Sequence, residues 1–176
     1  MLFTETEIAG AYLIDPEPVT DDRGSFVRTF CKREFKEHGL VCTFVQGNIS
    51  YNRKKGTVRG MHYQIRPHEE VKVVRCVRGT IFDVIVDLRP DSRTFKQWLG
   101  FELSGANQRS LYVPAGVAHG FQTLEDDSEV LYLMSQFYNP DAAAGVRWDD
   151  PAFGIKWPLE VTAISVKDRE YPNFKA

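Results

Sequence analysis

Long apolar runs are missing from this chain: no uncharged stretch approaches the roughly 20 residues that span a bilayer, which sets aside a helical membrane protein. The opening MLFTETEIAG is acidic and has neither the basic flank nor the apolar run of a secretion signal, so a cytoplasmic location is expected. Cysteine is scarce too. Cys31, Cys42 and Cys76 are odd in number and far apart, which argues against a disulfide framework or a paired-cysteine zinc site and predicts reduced, partly buried thiols. Net charge is almost absent, 22 basic against 24 acidic residues, so no overall field draws the chain to nucleic acid or to a membrane surface. The basic residues are interspersed with acidic ones rather than gathered into a patch with stacking aromatics, and any anion site must be local.

What the chain does have is enough apolar side chain, 43%, to fill a core, and residues 1–176 are expected to form one domain. From Val41 onward it is a series of short β-favouring runs: VCTFVQ, VKVVRCV, TIFDVIVDL, WLGFEL, SLYVP and EVLYLMSQFY. Turn residues punctuate them. Gly79-Thr80 looks like a two-residue hairpin turn between VKVVRCV and TIFDVIVDL, and loops are expected at 89–92 and 104–107. The strongest helical candidate is CKREFKEHG, short and closed by a glycine. The cadence predicts an all-β chain, a jelly roll or closed barrel with short peripheral helices, rather than a βαβ fold.

Four segments set unusual polar residues among β-like neighbours: DDRGSF at 21–26, VRGMHYQ at 58–64, VPAGVAHGF at 113–121 and ISVKD at 164–168. In an alternating strand His62 projects with Gly60 and Gln64, opposite to Met61 and Tyr63, and the small residue and the amide beside it suggest a cavity wall. A lone strand histidine is also ordinary as a satisfied core or surface residue, and the same holds for His119. His38 and His68 sit in polar, loop-like surroundings and read as solvated. Lys72 alternates with apolar neighbours and would ride on the sheet, or would blunt an edge strand. Tyr132 fits plain core, and Asp168 fits a solvated tail. A histidine near the first hairpin and the later P-x-G-x-x-H at 114–119 are features of metal-binding cupins. A first-row metal wants three or four ligands, however, and the position two beyond His62 holds Gln64, while Glu69 and Glu70 lie in a hydrophilic loop that favours solvation. No metal is expected.

In order along residues 8–168, the segments DDRGSF, FVQGN, VRGMHYQ, VKVVRCVRGTIFDVIVDLR, W-x-G-x-x-L, VPAGVAHGF, LYL, WDDPAFGIKWP and ISVKD resemble the dTDP-4-dehydrorhamnose 3,5-epimerase family. The resemblance implies a double-stranded β-helix of the cupin type, a homodimer, a nucleotide-diphosphate sugar as substrate, and no metal or organic cofactor. It places His62 on the catalytic base and Asp168 on the carboxylate that orients it. Lys72 falls on a lysine that meets the charge developing on O4, and Tyr132 on the residue that returns a proton from the opposite face. Arg23 and Arg59 match diphosphate contacts; Phe26, Gln46 and Asn48 match positions near the nucleotide and sugar. Arg28, Tyr138 and Lys167 fall on substrate-binding positions, and His119 has a supporting role in the site.

Some positions depart from the family pattern. Arg28 stands where Glu is general, Gly47 replaces Asp, Ile49 replaces His, Ala143 stands where Glu is frequent, and the chain after Asp168 is short. The resemblance therefore implies inversion of C3 and C5 of dTDP-4-dehydro-6-deoxy-glucose, with a C3-only or C5-only epimerase as the alternative. A cupin that only binds a nucleotide sugar and a metal-dependent cupin enzyme are the readings from other classes.

Overall fold

Among residues 1–175, which the computed structural model describes, thirteen short strands and two short helices follow one another. They are β1 (Leu2–Glu5), β2 (Tyr12–Asp15), β3 (Val19–Asp21), β4 (Gly24–Phe26), α1 (Lys32–Glu37), β5 (Gln46–Asn52), β6 (Val58–Gln64) and β7 (Lys72–Arg78). The chain continues with β8 (Thr80–Asp87), β9 (Trp98–Ser104), β10 (Ser110–Val113), β11 (Val117–Thr123), β12 (Ser128–Met134), β13 (Ala143–Gly145) and α2 (Val166–Arg169). One sheet runs β1-β2-β10-β7-β12-β5 and the other β13-β6-β11-β8-β9, with β3 and β4 forming a separate hairpin. From β5 to β12 the chain changes sheet at nearly every connection, and all ladders between strands are antiparallel, which is the winding of a jelly roll.

This winding corrects one expectation. Gly79 does not close a hairpin: β7 pairs with β10 and β12, while β8 pairs with β11 and β9. Gly79 is a corner between sheets, at φ +72°, and a Cβ there would come within 2.5 Å of Ser128 Oγ. A second shift is that the run VCTFVQ contributes only its last residue to β5, which continues through the polar stretch to Asn52. Its Phe44 packs instead against the outer face of the six-stranded sheet, beside Phe35 of α1.

Strand parity explains the rest. The middle strands of each sheet are covered on both faces, so β7 and β8 carry apolar residues on both sides. On β8, Ile81 and Ile85 face the space between the sheets, while Val84 and Val86 pack on the outside with Phe153 and Trp157 from the C-terminal segment. On β7, Val74 and Cys76 point inward and Val73 outward, toward Phe35 and Tyr112. The inner core includes Val74, Leu111, Phe121 and Val130 and fills the barrel only partway. Beyond it the same inward-facing parity carries polar side chains: Lys72 on β7, Tyr132 on β12, His119 on β11, Asp83 on β8 and His62 on β6.

Candidate active site

Of those inward polar residues, His62, Lys72, His119 and Tyr132 line a cavity of about 1020 Å³ at one end of the barrel, and Asp83 is buried behind His119. His62 stands on β6 with its side chain 43% exposed, while Asp168 on α2 is 4% exposed, so the imidazole faces the cavity and its carboxylate partner backs it. His62 Nε2 lies 2.6 Å from Asp168 Oδ1. Two further contacts fix that carboxylate. Ser165 caps α2, accepting from the Asp168 amide at 3.1 Å, and the Gly60 N–H donates to Oδ2 at 3.3 Å. Gly60 lies at φ +121°, and a Cβ there would collide with the Gly120 Cα at 2.5 Å, so only glycine allows β6 and β11 to approach this closely. Burial pushes the Asp168 carboxyl upward, but the hydrogen bonds from His62 and Gly60 and the His62 charge outweigh it and hold the group below the usual aspartate range. With Nε2 occupied by the carboxylate, the lone pair left to act as a base is on Nδ1.

A second imidazole–carboxylate pair lies directly across the ladder, since His119 is the register partner of His62. His119 Nε2 is 2.8 Å from Asp83 Oδ1, and both side chains are buried. Burial pushes Asp83 up against the opposing pull of His119 and Lys72. Lys72 is buried as well. Its Nζ donates to the His62 carbonyl at 2.9 Å and meets Glu70 Oε1 at 3.1 Å. Burial draws the ammonium below the ordinary lysine range, with Glu70 and Asp83 pulling it back. Tyr132 stacks edge-on to His119 at 6.1 Å, and burial pushes its phenol up, so the hydroxyl keeps its proton.

The cavity thus brings together His62, Asp168, Lys72, Tyr132 and His119, along with Gln46, Asn48, Arg59, Tyr138 and Lys167. Arg59 donates to Asn52 Oδ1 at 2.7 Å and to the Tyr51 carbonyl at 3.3 Å, and Gln46 accepts from the Tyr138 amide at 2.5 Å. The structure does not bring Arg23, Phe26 or Arg28 to this chain's cavity. Arg23 sits on the β3–β4 hairpin, 90% exposed, paired with Asp21 at 2.6 Å; Phe26 is 72% exposed; Arg28 reaches Glu34 at 3.4 Å. Of the departures from the family pattern, Ile49 and Ala143 line the cavity. Sequence reasoning misplaces or misses two lining residues, Glu70 and Tyr171, and the buried Asp83 behind His119. Glu70 is not a solvated loop residue but 7% exposed, and Asp83 and Tyr171 carry no motif that marks them for the site. A usable signal exists for Asp83: an aspartate inside a β-branched run is costly to bury unless it is partnered. Among the described residues no group of three or more His, Cys, Asp or Glu side chains is placed to hold a metal ion, and no helix is long and apolar enough to cross a membrane.

Set against known proteins, residues 5–176 match the model of a family described as dTDP-4-dehydrorhamnose 3,5-epimerase. A protein of that name from Methanothermobacter thermautotrophicus is 45% identical over 172 residues, covering 96% of this chain and 92% of the relative. The crystal structure of a Bacillus anthracis dTDP-4-dehydrorhamnose 3,5-epimerase with TDP and PPi bound is similar at a TM-score of 0.95 and 42% identity, covering 98% of this chain and 99% of that one. A Legionella pneumophila relative solved in complex with dTDP-4-keto-L-rhamnose gives a TM-score of 0.89 at 37% identity, over 95% of this chain and 89% of that one.

Proposed function

Because the chain belongs to the dTDP-4-dehydrorhamnose 3,5-epimerase family, we propose that it inverts C3 and C5 of dTDP-4-dehydro-6-deoxy-D-glucose, giving dTDP-4-dehydro-L-rhamnose, with the side chains just described. The observation that carries the assignment of roles is the His62–Asp168 pair at 2.6 Å, half open to a cavity that also holds a buried ammonium and a partly buried phenol. His62 Nδ1 takes the proton from a carbon next to the C4 ketone, and the C–H electron pair moves into the C3–C4 or C4–C5 bond as the carbonyl pair moves onto O4. Asp168 stabilises the imidazolium that results. The charge on O4 meets the Lys72 ammonium in a site largely shielded from water, where such an interaction is strong. The Tyr132 phenol gives its proton to the opposite face of the carbon. Return of a proton by His62 would restore the original configuration, so the second face is what turns exchange into inversion. Arg59 serves the diphosphate through its forked N–H donors, and Gln46, Asn48, Tyr138, Lys167 and His119 shape the rest of the cavity.

The working unit in this reading is a homodimer. Positions that the family resemblance assigns to the nucleotide, Arg23 and Phe26, project on a hairpin outside this chain's own cavity, and apolar surface is exposed on that hairpin and on edge strand β5 at Val19, Phe26, Ile49 and Tyr51. A second copy reconciles the two facts by bringing its hairpin to the cavity mouth, together with Arg28. Light scattering should give the mass of two chains, and Phe26→Ala should shift it toward one while raising KM; a wild-type mass of one chain contradicts the dimer. We also place the enzyme in the cytoplasm, in keeping with three unpaired cysteines.

The activity is tested by incubating the keto sugar with the protein in deuterated water and reading each carbon by NMR. Deuterium at C3 and C5, lost in His62→Ala, is the expected result. Incorporation at one carbon alone selects a single-centre epimerase, and none at either carbon refutes the assignment.

A further inference from the structure

Glu70 is a carboxylate held where carboxylates are costly. It lies two residues before Lys72 and shares its inward parity, at 7% exposure, in the lining of the cavity. One oxygen, Oε1, is 3.1 Å from the Lys72 ammonium. The other, Oε2, is buried and has no hydrogen-bond partner among the described residues. Nearby polar groups are already committed: the Gln64 amide donates to the His68 and Phe137 carbonyls and accepts from the Asn139 N–H, and Lys72 spends another donor on the His62 carbonyl. An anionic acceptor left unpaired is expensive, and when it borders a binding cavity a bound ligand is the natural source of the missing donor.

We infer that Glu70 reads the sugar, its Oε2 accepting a hydrogen bond from the substrate's C3 hydroxyl. The inference rests on the epimerase reading above. Lys72 meets O4 in that reading, so the carboxylate bonded to Lys72 lies beside C4. Of the two carbons flanking C4, C5 carries a methyl group and the ring oxygen, neither of which donates a hydrogen bond. C3 carries a hydroxyl that does. The terminal torsion of a glutamate is soft, so a small turn of the carboxyl presents Oε2 to the cavity while Nζ stays in reach. A carboxylate accepts and cannot donate, so Glu70 selects a hydroxyl at C3 and discriminates against its removal. It is thereby a specificity residue that also holds the Lys72 ammonium in place.

The test crosses a change in the protein with a change in the sugar. Wild type, Glu70→Ala and Glu70→Gln, which keeps the shape but turns an NH2 group toward the hydroxyl, are each given the dTDP-linked 4-keto-6-deoxy sugar and its 3-deoxy analogue. Deuterium exchange at C5, possible for both sugars, is the readout, with KM and kcat taken separately. Loss of the hydroxyl should cost wild type roughly 10- to 150-fold in kcat/KM, the range for a hydrogen bond to a charged group. It should change Glu70→Ala by less than about threefold, because the pairing is lost there, and Glu70→Gln by an intermediate factor, because its NH2 can still donate a neutral hydrogen bond to the hydroxyl oxygen. Comparing two sugars on one protein cancels any general weakening of either variant. An equal loss in wild type and both variants overturns the Glu70 assignment alone. A wild type that exchanges C5 of neither sugar overturns the epimerase reading, and this inference with it.

Discussion

Replacing Asp168 by Asn changes no shape and removes one charge, which isolates what the carboxylate does for His62. Asp168 accepts from His62 Nε2 at 2.6 Å through Oδ1 and from the Gly60 N–H at 3.3 Å through Oδ2. An amide has one oxygen for these two donors. If its oxygen faces His62, its NH2 confronts the Gly60 N–H. If its NH2 faces His62, it donates to Nε2, the ring proton moves to Nδ1, and the atom facing the cavity is no longer a base. The variant also loses the charge that stabilises the imidazolium. At about 4 Å between charge centres and an effective dielectric near 20, that attraction is about 4 kcal/mol. Because the imidazole is 43% exposed, water halves it in the lower limit, leaving ~2–4 kcal/mol. The rate should fall roughly 30- to 1000-fold at 1.36 kcal/mol per factor of ten. The assay is the initial rate of deuterium uptake at C3 and C5 under saturating sugar, with thermal unfolding recorded alongside to show that Asp168→Asn is folded. A folded variant within about threefold of the wild-type rate refutes the assignment of Asp168 as the group that orients and stabilises the base.

Two further outcomes follow from burial. In the proposed mechanism Lys72 acts as an ammonium; burial draws its pKa down, so its charged form is lost as pH rises, and the alkaline limb of kcat should lie below the ~10.4 of an ordinary lysine. The phenol of Tyr132 is pushed the other way and does not supply that limb. Lys72→Arg, which stays charged throughout, should abolish it even if the rate is lower; a limb that survives in the variant contradicts the assignment. Phe35 of α1 is fully buried, with Phe3, Phe30, Phe44 and Tyr112 around it. Phe35→Ala should cost about 3–5 kcal/mol in urea unfolding, and a loss under about 1 kcal/mol would show that the helix does not anchor the six-stranded sheet.

Strand alternation alone makes much of this site legible in the sequence. Period two aims His62 away from Met61 and Tyr63 and sets Lys72 among apolar neighbours, and both directions recur in the folded chain, where Met61 packs on the outer face and Lys72 lies inside. What alternation cannot carry is the connection between distant segments. Asp168 reads as a solvated tail residue because the contact that buries it is 106 positions away in sequence. Gly79 reads as a hairpin turn because a glycine at positive φ serves a corner between sheets equally well. Glu70 reads as solvated because its surroundings HEE are hydrophilic, and only the Lys72 ammonium makes its burial tolerable.

In the proposed mechanism protons leave and return on opposite faces of the sugar, one through His62 and one through Tyr132. Tyr132→Phe tests it most directly, because it removes one hydroxyl from a packed ring and leaves the base untouched. In deuterated water the variant should keep exchanging C3 and C5 protons, since His62 can take a proton and return a deuteron on one face. The inverted sugar should fall by about a hundredfold or more. Inversion that continues at the wild-type rate would contradict the account.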